Sequence, residues 1–278
     1  MKFSNRAAFV TPSMATRWTA YSQALLQKNF PEFRRTVVFD SGKWDALYFV
    51  PYCSNSDTQY TILVDEDCFV FDRAQVLQLL DYMDQHQDVA LFGSPDGGTF
   101  HRHLNPIACN TFFLIVRNSA ISSIGGAGAW KDLKYGDVRT LADFRHVAAL
   151  DQNRIDYELE DQYYPFFWYV LKAGWKIEYF VPAVDKDLLA SKWAISPEAV
   201  PLLLHMWWLR DWSSRQVNAY LKVSNYSRYS QLESRWLSRE FSRPGDALIL
   251  YSQLLFIARR SAKVWWARMI AKVKRIAA

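Results

Sequence analysis

The sequence predicts an α/β fold, a sheet flanked by helices, and three observations carry that reading. Strand-type and helix-type segments alternate through residues 7–98. Half of the 278 side chains are hydrophobic and 16% are aromatic, enough for one large core and too apolar for a disordered chain. Turn formers separate the segments at Pro31, at Ser41 with Gly42, and at Gly97 with Gly98.

Taken in order, AAFVTP (7–12) is a short apolar strand, and ATRWTAYSQALLQKNF (15–30) carries helix formers up to Pro31. RTVVFDSG (35–42) reads as a second strand ending at Asp40 and a turn. YTILVDEDCFVF (60–71) reads as a third strand, RAQVLQLLDYMDQH (73–86) as a helix, and DVALFGSPDGG (88–98) as a fourth strand whose GSPDGG end is a loop. CNTFFLIVR (109–117) is a strong strand candidate, and the segment 157–182 reads as a helix closed by Gly174 and followed by a strand. Strands joined through helices imply a parallel sheet with crossovers, and such sheets hold ligands outside the carboxyl ends of their strands. SRPGD (242–246) is the clearest punctuation, with Asp246 placed to cap a last helix; it divides a body (1–245) from a tail (246–278).

Composition narrows the setting. No window of about eighteen residues is free of charge, and the N-terminal stretch lacks the long apolar run of a secretory signal, so a cytosolic chain is expected. Cys53, Cys68 and Cys109 are far apart, which suits reduced thiols rather than a disulfide framework or a close-spaced zinc site. The net charge of +5 is uneven: residues 247–278 hold seven Lys and Arg and no acid, leaving −2 for residues 1–246. The body has no charge reason to bind nucleic acid.

Three consecutive acids, Asp65, Glu66 and Asp67, interrupt an apolar run. In an extended chain residues i and i+2 share a side, so Asp65 and Asp67 point together at a strand end. Two hard oxygen donors there suit Mg2+ or Mn2+, which complete their shells with water and substrate phosphates. The spacing alone is weak evidence, since Asp185 and Asp187 repeat it. ILVDEDCFVF in this setting resembles the DxD segment of the GT-A glycosyltransferases, whose Rossmann-like mixed sheet binds a nucleotide sugar. The resemblance implies that Asp67 binds the cation holding the donor's diphosphate, and that Asp65 contacts the metal shell or the ribose.

ELEDQYYPFFWYVLKAGWKI is similar to the same family's ED segment, an acid pair opening a helix beneath the acceptor pocket. The resemblance implies Asp161 as the base that deprotonates the acceptor hydroxyl and Glu160 as an acceptor or donor contact; helix capping is the structural alternative. By the same resemblance Thr11, Pro12 and Asp40 are candidate nucleotide contacts, and Asn110 and Thr111 face the donor sugar. Many members carry a further His ligand just after the strand that follows the ED helix, and this chain has none there. His205 in LLLHMWWLR is the nearest downstream and reads either as that ligand or as a packed core residue; Asp185, Asp187 or water are the substitutes. His101, His103 and His146 read as surface residues.

In the tail, Ala258, Ala262, Trp265, Met269, Val273 and Ile276 fall on one stripe of a helix with basic residues around the rest. This is the pattern of an amphipathic helix on anionic lipid, with a helix packed on the body as the alternative. The expectation is therefore a metal-dependent glycosyltransferase at the cytoplasmic membrane face, using a UDP-sugar and a lipid-linked or polysaccharide acceptor. Its rivals are a nucleotidyltransferase of similar architecture and a non-catalytic membrane-associated protein of the same fold.

Overall fold

A computed structural model describes residues 4–13, 17–39, 49–96, 103–124, 152–157, 163–180, 183–185, 190–193 and 202–206, with single positions between 130 and 161. Asp40, Glu160, Asp187, His101, His146 and the whole tail lie outside the described residues, as does Asp246.

Ten strands and five helices are described. They are β1 (Ala7–Ser13), α1 (Arg17–Asn29), β2 (Arg34–Phe39), α2 (Val50–Ser54), β3 (Tyr60–Val64), β4 (Cys68–Val70), α3 (Arg73–Gln85) and β5 (Val89–Pro95). After these come β6 (Cys109–Arg117), α4 (Asn118–Ser123), α5 (Tyr164–Lys172), β7 (Lys176–Tyr179), β8 (Ala183–Asp185), β9 (Ala190–Trp193) and β10 (Leu203–Met206). The main sheet has the order β2-β1-β3-β6-β5-β7, and a second sheet has the order β4-β10-β9-β8.

The main sheet is mixed. β1 pairs in parallel with β2 and β3, and β5 with β7, while β6 runs antiparallel to both β3 and β5. The parallel sheet expected from strand and helix alternation thus holds for five strands and fails at β6, which runs back along β5. Side chains alternate between two cores. Ile62, Val64, Phe113 and Ile115 face one with Phe9, Leu26, Phe30, Leu80 and Met83; Leu63, Leu114 and Val116 face the other with Phe49, Ile121, Phe166, Phe167 and Val170. Because both faces are covered, these strands read as continuous apolar runs.

Local chemistry explains the ends of the elements. Asp72 caps α3, its carboxylate accepting from Gln75 N at 3.1 Å. Pro165 sits in the first turn of α5, where its missing N–H has no helical partner to lose. Gly174 closes that helix at φ +87°, a left-handed conformation that glycine adopts without a Cβ clash. Gly93 meets a different constraint: a Cβ there would lie 2.8 Å from Leu114 Cδ1, at the place where the β5–β6 register shifts.

Two expectations about these elements are corrected. Residues 60–71 are not one strand. A turn at Asp65–Asp67, with Cys68 N donating to Asp65 O at 3.0 Å, sends the chain from β3 in the main sheet to β4 in the second. The helix expected from about residue 160 begins only at Tyr164, so Asp161 precedes it and α5 has no acid in its first turn. Between β2 and β3 lies α2, which no sequence signal had marked.

Candidate metal centre at the carboxyl edge of the sheet

β1, β2, β3, β5 and β7 all point the same way, so their carboxyl ends form one edge, joined there by the start of the reversed β6. At this edge β3 gives way to the three acids. Asp65 N donates to Phe112 O of β6 at 2.9 Å, which fixes the first acid as the turn begins.

β10 pairs antiparallel with β4 and sets His205 opposite Cys68. The imidazole is buried and stacks on Phe112, with ring centroids 4.3 Å apart and planes 10° from parallel. Its Nε2 lies 3.4 Å from Asp67 Oδ1. One potential ligand atom from each of Asp65, Asp67 and His205 lies within 4.8 Å of the others. His205 is therefore both a packed residue and a neighbour of the acids, and the two sequence readings of it are compatible.

The donor set suits a divalent ion. Two atoms facing each other across an ion with bonds of about 2.1–2.4 Å are about 4.2–4.8 Å apart, and atoms at adjacent positions are closer, as His205 and Asp67 are. Carboxylates with an imidazole favour Mn2+ over Mg2+, which prefers oxygen alone. The i and i+2 side chains come together here through a turn, and the extended geometry expected from the sequence plays no part.

Glu66, between the two, turns inward. It is buried, accepting from Thr19 Oγ1 at 2.6 Å and Ser13 Oγ at 3.0 Å, and those hydroxyls are 2.6 Å apart. Sequence reasoning gave it no role. Cys68 beside the turn is wholly buried; burial pushes its thiol well above the ordinary value, and the charges of Asp65 and Asp67 push it further.

A second acid stands at the end of β5. Asp96, in the segment read as a loop, is fully buried, accepting from Asn110 Nδ2 at 2.7 Å and from the Tyr164 hydroxyl. Asn110 Oδ1 accepts from Phe112 N at 3.0 Å, so the amide of Asn110 is engaged at both ends. Burial, with Asp96 nearby, pushes the Tyr163 phenol well above its ordinary value, and Asp161 adds to the shift. Asp161 is half-buried, its carbonyl accepting from Tyr164 N at 3.1 Å.

Thr11 and Pro12 are buried in β1, and the Thr11 hydroxyl accepts from Gln23 Nε2 of α1 at 2.8 Å. Thr111 is half-buried on β6, beside Asn110. Asp185 ends β8 in the second sheet, and His103 is exposed. The structure thus gathers Asp65, Asp67 and His205 in one cluster and sets Asn110 against Asp96, while Asp161 stands just ahead of α5. Among the described residues, no helix is long and apolar enough to cross a membrane.

No protein-family model matches the sequence, and no curated protein does. Among solved structures, the crystal structure of A197 from STIV is 13% identical with a TM-score of 0.35, covering 44% of this chain and 70% of that one. The crystal structure of a glycosyltransferase involved in the glycosylation of the major capsid of PBCV-1 is 12% identical with a TM-score of 0.30, covering 54% of this chain and 81% of that one. Likenesses this slight say nothing about the chemistry of this chain.

Proposed function

We propose that this chain is a metal-dependent glycosyltransferase that moves a sugar from a nucleotide-sugar donor, a UDP-sugar, to a lipid-linked or polysaccharide acceptor. The observation that carries the reading is the convergence of Asp65, Asp67 and His205 at the carboxyl edge of a mixed α/β sheet, where such folds bind ligands. Mn2+ or Mg2+ held there would neutralise charge developing on the diphosphate leaving group. Asp65 and Asp67 supply hard anionic oxygens, and His205, held flat against Phe112, presents Nε2 toward them.

Asp161 is the proposed base, half-buried ahead of α5, and Glu160 the proposed acceptor contact. Thr111 and Asn110 would flank the donor sugar, with Asn110 acting through the backbone it orients. Thr11, Pro12 and Asp40 are the proposed nucleotide side. The basic tail, residues 246–278, would hold the enzyme on anionic lipid at the cytoplasmic face, through about 1 kcal/mol per Lys or Arg near the surface.

A thermal-shift screen of nucleotide sugars with and without Mn2+ tests the reading, since a ligand of the folded state alone raises its stability. A UDP-sugar that stabilises only with Mn2+, followed by release of UDP on adding acceptor, is the expected result. Stabilisation by nucleoside triphosphates alone would favour a nucleotidyltransferase. Full-length chain and a truncation ending at Pro244 are expected to differ in sedimenting with anionic liposomes.

A further inference from the structure

We infer that Glu66 is a positioning residue for the metal centre: α1 holds the acid turn in register through Glu66, so that cation affinity depends on hydroxyls that never touch the cation. This rests on the metal reading above.

The polar side chains of α1 that reach the turn and the strand after it lie along one face. Thr19 reaches Glu66, Ser22 Oγ donates to Cys68 O at 3.0 Å, and Asn29 Nδ2 donates to Phe71 O at 2.9 Å and to Val70 O at 3.2 Å. Positions 19, 22 and 29 are three and seven apart, the spacing that keeps helical residues on one side. The stripe follows the chain from the acid turn through β4 to the segment before α3. Ser22 and Asn29 grip backbone carbonyls, which any sequence would offer. Thr19 grips a side chain, the middle acid of the triplet, and Ser13 at the end of β1 reaches the same oxygen.

This arrangement constrains the flanking acids. With Glu66 directed inward, the turn presents Asp65 and Asp67 toward His205. Two hydroxyl protons serve three short contacts among Ser13, Thr19 and Glu66, so losing one hydroxyl leaves the carboxylate with a single donor of this pair. The turn can then shift by the few tenths of an ångström that separate well-formed from poor coordination.

The test is calorimetric titration of Mn2+ into the full chain at a temperature where every variant is folded, beside a Tm for each. Thr19→Val keeps the shape and removes the hydroxyl; Thr19→Ser restores it. Tyr60→Phe, which removes one buried-end hydroxyl contact at the opposite edge of the sheet, is the control for a general loss of stability. Thr19→Val is expected to weaken Mn2+ binding about three- to tenfold, Ser13→Ala with Thr19→Val by more, and Thr19→Ser and Tyr60→Phe hardly at all. Unchanged affinity in Thr19→Val and in the double variant, with a wild type that binds Mn2+, overturns the inference and leaves the metal reading standing. A wild type that binds no Mn2+ overturns both.

Discussion

The strands β3 and β6 carry polar clusters at both ends, and the two clusters are built on opposite principles. At the amino edge Tyr60 pairs with Arg117 across the sheet. The buried Arg117 guanidinium donates to Val89 O at 2.8 Å, His86 O at 3.1 Å, Gln87 Oε1 at 3.2 Å and Met83 O, and lies over the Tyr60 ring. It thereby binds the carbonyls at the C-terminal end of α3, where a cation also suits the helix dipole. Tyr60 donates to Asp84 at 2.6 Å, and Arg6 meets the same carboxylate at 2.8 Å. Donors and acceptors are matched there. At the carboxyl edge Asp65 and Asp67 bring two carboxylates, and His205 an imidazole, into one small space. Matched charges hold a fold together, while the convergence of ligand-type atoms at the other edge is what the proposed metal site rests on.

Breaking the matched end has the largest expected effect. Arg117→Ala strands several buried carbonyls and should cost roughly 3–5 kcal/mol, lowering Tm by about 10 °C. Urea denaturation measures it, and Mn2+ affinity below the transition should stay as in the wild type.

Asp96 sharpens the contrast, because it stands at the carboxyl edge yet belongs to the matched kind. Asp96→Ala leaves the Asn110 amide and the Tyr164 hydroxyl without their acceptor, and a loss of roughly 2–4 kcal/mol is expected in the same assay. If its stability equalled the wild type's, Asp96 would move to the ligand-demanding side of the comparison.

Asp67→Asn should do the reverse. Stability should change by less than about 0.5 kcal/mol, while Mn2+ affinity falls tenfold or more, a difference of at least about 1.4 kcal/mol in binding. Wild-type Mn2+ affinity in this variant would remove Asp67 from the metal centre.

Tyr60→Phe has the smallest expected effect, about 1 kcal/mol for one hydrogen bond, and it carries a pH signature. Burial, with the Asp84 carboxylate accepting its proton, pushes the Tyr60 phenol from 10 up to about 12. A group whose folded value is raised lends stability below its unfolded value and loses it as pH rises toward the folded one. The gap between wild type and Tyr60→Phe should therefore hold below pH 10 and close between pH 10 and about 12, as urea midpoints would report.

Much of the fold is legible in the sequence because it is written locally. The run 109–117 is bounded and apolar, and β6 occupies those residues; Asp72 caps α3 one residue from where the helix was expected to start. Turn chemistry marks Gly174, whose left-handed φ no neighbour need impose. Helix α5 begins later than the sequence predicts because acids before a helix and acids in its first turn look alike in sequence, while Pro165 marks the true start. Of the candidate site, adjacency alone put Asp65 and Asp67 together.

The reach of His205 to Asp67 has no local signal, because it depends on β10 docking against β4 from far along the chain. A histidine among Leu, Met and Trp reads as core until that pairing is known. The same holds for the triplet itself. The spacing of the three acids sets Glu66 apart from Asp65 and Asp67 but does not set where it goes; the hydroxyls that receive it inside are those of Ser13 and Thr19, on other elements. Periodicity and turn residues act between neighbours and so survive in a string of letters. The direction of a side chain at a turn is set by partners on other elements, and only the folded chain brings those into contact.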